Sequence, residues 1–250
     1  MKKVEYLDIL SVKVSLIDYE KLKSVIIETI NNKTKIFITY TTANTLNLIY
    51  QYEGLKNIFN KFDIIHPDGI GVYLSSKFIY GKNGFKNRFT GSDFYPVLIE
   101  AGIKNKWSFF LFGDTEKTLL EAIKKNNTLN ICGYQNGYDY IEEKLVEKIN
   151  SSTPDILIVG LGCPKQEELV FKYKDQINAK IILAVGDGIK VFAGTKRRGA
   201  NFLRLLGFEW FVRLITNPKK YWKRYILGIP LFVIRIIKFK LSYKIRTDIQ

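Results

Sequence analysis

Asp68 is the side chain best suited to move a proton. It follows Ile64-Ile65-His66-Pro67 and precedes Gly69, so a strand-like run ends in a carboxylate and the chain turns at once. A carboxylate held at a strand end can take the proton of an attacking hydroxyl, the task of a general base. An Asp-Gly pair also makes an ordinary turn. His66, the only histidine, is the rival base, although a half-buried strand histidine is its simpler reading. Thr42 and Asn44, in Thr41-Thr42-Ala43-Asn44, put a hydroxyl and an amide in another turn. Such residues cap helices as readily as they hold sugar hydroxyls. Gln166 stands just past Gly160-Leu161-Gly162-Cys163-Pro164, at a helix start. Its amide both donates and accepts, which suits a sugar, and the helix N-terminus favours negative charge nearby. Arg88 has a fork of donors that fits a phosphate, or is a surface arginine of the basic stretch from Lys82.

These turns need strands to carry them. Ile36 to Tyr40, Trp107 to Phe112, Asp155 to Val159 and Ile181 to Val185 are short β-branched or aromatic runs. Each ends in a polar or glycine turn. Helix-like stretches follow at Glu116 to Lys125 and Lys165 to Tyr173, with Asp114 a candidate N-cap and Pro164 suited to a first turn. Continuous apolar runs alternating with helices predict buried parallel strands in a doubly wound α/β sheet over residues 1–195. Ligands of such sheets bind beyond the carboxyl ends of the strands, where all these turns would share one edge.

The 250 residues are 46% hydrophobic and 14% aromatic, enough for a real core. Net charge is +15, unevenly spread. Residues 196–250 hold fourteen basic residues against Glu209 and Asp248, a net +12, while residues 1–195 carry +3. Two cysteines, Cys132 and Cys163, exclude a disulfide scaffold and fit a reducing, cytosolic compartment. No signal-peptide pattern follows Met1-Lys2-Lys3, and no run reaches the length of a membrane span. The complete dinucleotide fingerprint, the phosphate-loop motif, a DxD pair and a nucleophile elbow are all missing, and one histidine excludes a multi-histidine metal site. No metal or cofactor is expected.

In residues 196–250, Arg204, Arg213, Lys219, Lys220, Lys223 and Arg224 alternate with Phe208, Trp210, Phe211, Tyr221, Trp222 and Tyr225. The apolar run Ile226 to Ile237 and a second basic group follow. Cations and aromatics flanking a short apolar helix fit an anionic membrane surface. Packing of a basic helical hairpin on its own domain is the plainer alternative. Nucleic acid is a poor partner, because the apolar run has no use on a polyanion.

Five segments together resemble one family: Thr41 to Asn44, Pro67-Asp68-Gly69-Ile70-Gly71, Arg88 to Asp93, Gly160 to Glu167, and the tail Gly207 to Leu214 with Asn217 to Tyr225. Their order and spacing resemble the WecG/TagA/CpsF family, glycosyltransferase family 26. The resemblance implies a Rossmann-like core with a basic, mainly helical C-terminal appendage that touches the inner face of the cell membrane and closes the site. It implies inverting, metal-independent transfer of a sugar from UDP to an undecaprenyl-diphosphate-linked acceptor. N-acetylmannosamine is the expected sugar and lipid-linked N-acetylglucosamine the expected acceptor. UDP-N-acetylmannosaminuronic acid and UDP-glucose are alternative donors, and a non-catalytic nucleotide-sugar-binding module is the alternative outside enzymes. Asp68 becomes the base; Thr42, Asn44 and Gln166 face the sugar; Arg88, Arg213, Lys220 and Arg224 face diphosphate. Gly113, Gly160, Gly162, Tyr138 and Asp187 are the nucleotide candidates. Glu209 and Trp210 are expected to tie the appendage to the core. Self-association is a family trait that no heptad specifies here. Two positions depart from the family: Lys190 replaces an acid, and Arg198-Gly199-Ala200-Asn201-Phe202 lacks a proline and a tryptophan.

Overall fold

The computed structural model describes residues 4–196, 199, 204 and 206–247; Arg198, Ala200, Asn201 and Phe202 lie outside them. The chain opens with a hairpin, β1 (Tyr6–Ile9) and β2 (Val12–Ser15), then α1 (Tyr19–Asn31) and β3 (Ile36–Thr41). Next come α2 (Ala43–Gln51), α3 (Glu53–Phe59), β4 (Ile64–Pro67), α4 (Ile70–Tyr80) and α5 (Gly91–Asn105). β5 (Ser108–Gly113), α6 (Glu116–Lys125), β6 (Asn130–Gln135), α7 (Glu142–Ser152) and β7 (Ile156–Gly160) follow, then α8 (Lys165–Tyr173), β8 (Ile181–Ala184) and α9 (Ile189–Ala193). The C-terminal region is helical: α10 (Glu209–Thr216), α11 (Pro218–Trp222), a π-helical turn at Lys223–Leu227 and α12 (Gly228–Thr247).

Strands β3 to β8 form one parallel sheet in the order β4-β3-β8-β7-β5-β6. The α/β architecture is therefore as expected, with the helical C-terminal region. Two elements were not legible. The β1–β2 hairpin turns through Leu10 and Ser11, both at positive φ, and lacks the glycine that would mark it. β6 is an edge strand of mixed residues around Gly133, so it shows no apolar run.

Successive strand residues point to opposite faces, which splits the core in two. Phe110, Phe112, Leu157, Val159 and Ile182 pack with α2, α3, α4, α7 and α8. Phe109, Leu111, Ile156, Ile158 and Leu183 pack with α1, α5, α6 and α9. The N-cap of α6 is Thr115 and not Asp114; Asp114 sits at φ 52°, and its carboxylate accepts from the Thr115 N–H. Thr90 likewise precedes α5, leaving Asp93 in the first turn to accept from the Thr90 hydroxyl and from Arg204.

The C-terminal helix joins this core. Phe232 and Ile236 are buried in the first apolar cluster. Between them Arg235 is 8% exposed and donates to the Asn47 carbonyl at 2.8 Å and to Asn47 Oδ1 at 2.9 Å. Its guanidinium lies 4.5 Å from the Tyr50 ring centre. Asn47 Nδ2 donates to the Gly228 carbonyl at 2.7 Å. One α2 residue thus grips α12 at its first residue and two turns later. Among the described residues no helix is long and apolar enough to cross a membrane.

Truncating Arg235 would leave the buried Asn47 amide oxygen without its donor. A buried polar group so stranded costs about 1–3 kcal/mol. Arg235→Met is therefore expected to lose about that much stability in urea unfolding, with new protease cleavage within residues 228–247.

Candidate active site

A cavity of about 360 Å³ opens between the carboxyl edge of the sheet and the C-terminal helices. The β3–α2 turn contributes Thr42 and Asn44, the β4–α4 turn Asp68 to Gly71, and the segment before α5 Arg88 and Thr90. The C-terminal region contributes Glu209, Trp210, Arg213, Arg224, Tyr225 and Phe232. Six of the residues singled out in the sequence thus meet around one cavity: Thr42, Asn44, Asp68, Arg88, Arg213 and Arg224.

Local chemistry sets their positions. Asp68 leaves β4 with its N–H on the Thr41 carbonyl at 2.8 Å, and Oδ1 accepts from the Gly91 N–H at 3.1 Å. Gly69, at φ 88°, turns the chain into α4, a conformation that a residue bearing Cβ rarely adopts. Thr42 is the N-cap of α2 and accepts from the Thr45 N–H at 3.1 Å, so it is both cap and cavity wall. Arg88 donates to the Arg204 carbonyl at 2.6 Å. Arg213 lies 3.8 Å from Glu209 Oε2. Burial pulls against its charge, but Tyr225, Asp68 and Glu209 hold the guanidinium above its ordinary value. The Arg224 guanidinium stacks 5.4 Å from the Tyr225 ring centre, and its Nε is buried with no hydrogen-bond partner among the described residues.

His66 does not reach this cavity. It is fully buried, Nδ1 lies 3.1 Å from the Pro67 carbonyl, and Phe89 stands 4.7 Å away. Burial pushes its pKa down.

Gln166 also lies elsewhere. It is fully buried, and Oε1 accepts from the Gly162 N–H at 3.2 Å and the Gly186 N–H at 2.9 Å. Nε2 donates to Glu167 at 2.8 Å. The expected free amide is instead a tie between the turns after β7 and β8, because both turns offer inward N–H groups that need an acceptor. Lys220 is exposed beside the Tyr221 ring and is absent from the cavity wall.

The nucleotide candidates form a second group along the same edge. Gly113 pairs in register with Gly160, and a Cβ on Gly113 would meet the Gly160 carbonyl carbon at 2.5 Å. Gly137 packs on Gly113, which brings Tyr138, 80% exposed, to the rim. Gly162 lies near Gly186. Asp187 pairs with Lys190 at 3.0 Å, and Lys190 reaches Asp114 at 3.3 Å. Burial lowers the Lys190 pKa, but the two carboxylates outweigh it and raise the net value. A cation therefore bridges the Asp114 and Asp187 carboxylates.

Sequence reasoning missed four contributors. Glu209 and Trp210, expected as structural ties, line the cavity, and so does Tyr225. Their signal was the aromatic and cationic alternation, which composition alone assigns to lipid or to packing. Lys196 is the fourth residue missed, beside the Asp187 group and not on the cavity wall: its Nζ donates to Ser92 Oγ at 2.9 Å and lies 3.9 Å from Asp187. Burial pushes its pKa below the ordinary value. Nothing in the Lys196-Arg197-Arg198 run marks one lysine as buried.

The comparisons with known proteins bear on this arrangement. The profile of the Glycosyl transferase WecG/TagA/CpsF family matches residues 7–246. The chain belongs to that family. It is a sugar transferase. An N-acetylglucosaminyldiphosphoundecaprenol N-acetyl-beta-D-mannosaminyltransferase from Bacillus spizizenii is 32% identical over 203 residues, covering 78% of this chain and 77% of the relative. The protein of the same name from Bacillus subtilis is 30% identical, and one from Staphylococcus aureus is 28% identical over 84% of this chain and 82% of the relative. The family match spans the sheet and the C-terminal helices together, so the cavity between them lies within the matched length.

Glu167 supplies a pH test of the buried tie. It is fully buried and accepts from Thr39 Oγ1 at 2.6 Å and from Gln166. Oε2 has no partner among the described residues. Burial outweighs these bonds and pushes the carboxyl from 4.5 up to about 7. A raised folded-state pKa means that the folded protein binds the proton more tightly than the unfolded chain. This contribution is whole below the ordinary carboxyl pKa and is lost as pH rises to about 7. Its size is about 3 kcal/mol. Stability measured in urea at pH 5 and pH 8 is expected to show this fall in the wild type and to lack it in Glu167→Gln.

Proposed function

We propose that this chain transfers N-acetylmannosamine from UDP to N-acetylglucosamine carried on undecaprenyl diphosphate, at the surface of an anionic membrane. The activities for which the relatives are named support the sugar and the acceptor. One observation carries the mechanism: a single cavity holds the Asp68 carboxylate together with the Arg213 and Arg224 guanidiniums.

The acceptor hydroxyl attacks the anomeric carbon of the donor. Asp68 takes the hydroxyl proton as the new C–O bond forms. The bond from the anomeric carbon to the diphosphate oxygen breaks, UDP leaves, and configuration inverts. The departing diphosphate develops negative charge, which fixed cations stabilise. Arg213 and Arg224 are the cations that the cavity offers, with Arg88 beside them. Thr42 and Asn44 stand on the Asp68 side and suit the sugar hydroxyls and acetamido group. The nucleotide extends toward the Gly113, Gly160 and Tyr138 group. Asp187 and Gly162 border that group, whereas Lys220 belongs with the headgroup contacts.

Residues 196–250 act as a lid and membrane-binding appendage on the 1–195 core, on the cytoplasmic membrane face. Ile226, Leu227, Ile234 and Leu241 are all more than half exposed or nearly so, at 57%, 56%, 50% and 59%. Exposed apolar side chains beside many cations suit the headgroup boundary. The basic surface supports lipid over nucleic acid because the apolar face has no role on the latter.

Asp68→Asn keeps the size of the side chain and removes the base. Turnover is expected to fall about 10²- to 10⁴-fold, with UDP-sugar binding retained in calorimetry. Activity within about threefold of wild type would remove Asp68 from that role. Among the described residues no three or more His, Cys, Asp or Glu side chains cluster to hold a metal ion. Guanidiniums meet the leaving-group charge in this mechanism, so turnover is expected to persist in EDTA. A loss in EDTA reversed by magnesium would overturn the arginine assignment.

A further inference from the structure

The cavity has two chemically different ends. Its polar end is Asp68 with Arg213 and Arg224. Its other wall includes Leu74 of α4 and Val233 of α12, and these two continue outward as paired helical rows. Residues four apart share a helix face, so Phe78 follows Leu74 and Ile237 follows Val233. All four are large, apolar and open, at 56%, 46%, 48% and 44% exposure. Lys240 closes the far end: Nζ donates to the Phe78 carbonyl at 2.6 Å and stands 4.0 Å from its ring centre. From Val233 to Lys240 the strip runs about 10 Å along α12.

A bilayer alone does not explain this strip. Ile234 and Leu241, on the side of α12 turned away from buried Phe232, already give the helix an apolar outer face. Leu74, Phe78, Val233 and Ile237 lie instead on the flank between α12 and α4, in line with the cavity mouth. A ligand that uses the whole feature has a hydroxyl-bearing head for Asp68 joined to a flexible hydrocarbon chain.

We propose that the strip between α4 and α12 receives the isoprene units nearest the diphosphate of the acceptor, so that the enzyme reads the lipid as well as the sugar. This deepens the transferase reading and rests on it. The acceptor hydroxyl meets Asp68, Arg213 and Arg224 stay with the donor diphosphate, and the chain attached to the acceptor head leaves the cavity along the Leu74 and Val233 wall. The strip ends at Lys240, so the remainder of a long chain passes into the bilayer beyond it.

The test uses the full-length protein and two acceptors that share the diphosphate-linked N-acetylglucosamine head. One carries a methyl group and the other a farnesyl chain, both below their aggregation concentrations and without vesicles. Wild-type acceptor KM is expected to be at least tenfold lower for the farnesyl compound. Phe78→Ser and Ile237→Ser lie in the strip but outside the cavity wall, and are exposed-site changes that should fold normally. Each is expected to raise the farnesyl-acceptor KM roughly threefold to tenfold, as loss of buried apolar contact requires, with methyl-acceptor and donor KM unchanged. Equal KM values for the two acceptors in the wild type, or an equal rise for both in the variants, would overturn the proposal. Calorimetry with farnesyl diphosphate against inorganic diphosphate separates this from the transferase reading. Tighter farnesyl diphosphate binding that is lost in Phe78→Ser supports the strip even if no sugar is transferred. Equal binding of the two probes overturns it even if sugar is transferred.

Discussion

Asn47 accepts from Arg235 through its backbone carbonyl and its amide oxygen, and its amide nitrogen donates to the Gly228 carbonyl. A helix residue normally spends its carbonyl inside its own helix. Here one carbonyl also serves a helix nearly two hundred positions later in the chain. The same helix starts at the Thr42 cap, and Asn44 lies one turn before Asn47. α2 is thus a short rigid bar with cavity residues at one end and the grip on α12 in its middle. Any displacement of α12 relative to α2 moves Gly228 and Phe232 against Thr42 and Asn44. The cavity keeps its shape because the two walls are joined by hydrogen bonds in a dry contact, where leaving them unmade is costly.

The sheet edge is fixed in a similar way from the other side. Gln166 joins the turns after β7 and β8, and Glu167 ties α8 back to Thr39 of β3. Three neighbouring strands therefore end in turns that cannot shift independently. A carboxylic acid with a pKa near neutrality is the cost of that tie, since burial resists its ionisation. The cationic helices then close over an edge that is already rigid, and preorganised charge is what a reaction with a departing diphosphate requires.

The core strands were legible because buried parallel strands are written as unbroken apolar runs, and Phe109 to Phe112 or Ile156 to Val159 admit little else. β6 and the hairpin were not, since an edge strand and a glycine-free turn carry no such run. Within the site, residues whose types announce chemistry were found: Asp68 at a strand end, and arginines spaced along a basic tail. Gln166 misled because its type is equally suited to a ligand and to a pair of inward N–H groups. Its neighbours in space, Gly162 and Gly186, decide which, and Gly186 is twenty positions away. Lys196 was invisible for the converse reason: its burial is made by the fold around it, which no local pattern encodes.

The π-helical turn at Lys223–Leu227 has a mechanical consequence for everything after it. Pro230 has no N–H to return to the preceding turn, which leaves that turn room to widen, and the Gly228 N–H reaches back five residues to Lys223. The widened turn holds one residue more than an α-helix needs, and each helical residue is worth about 100° of rotation. It is therefore a phase setting. Were the turn α-helical, with the backbone on both sides kept in place, it would pass its surplus residue into α12: Val233 would occupy the outward position of Ile234, and Asn47 would face Ile234. The surplus residue decides which side of a twenty-residue helix is greasy and which side holds the enzyme together.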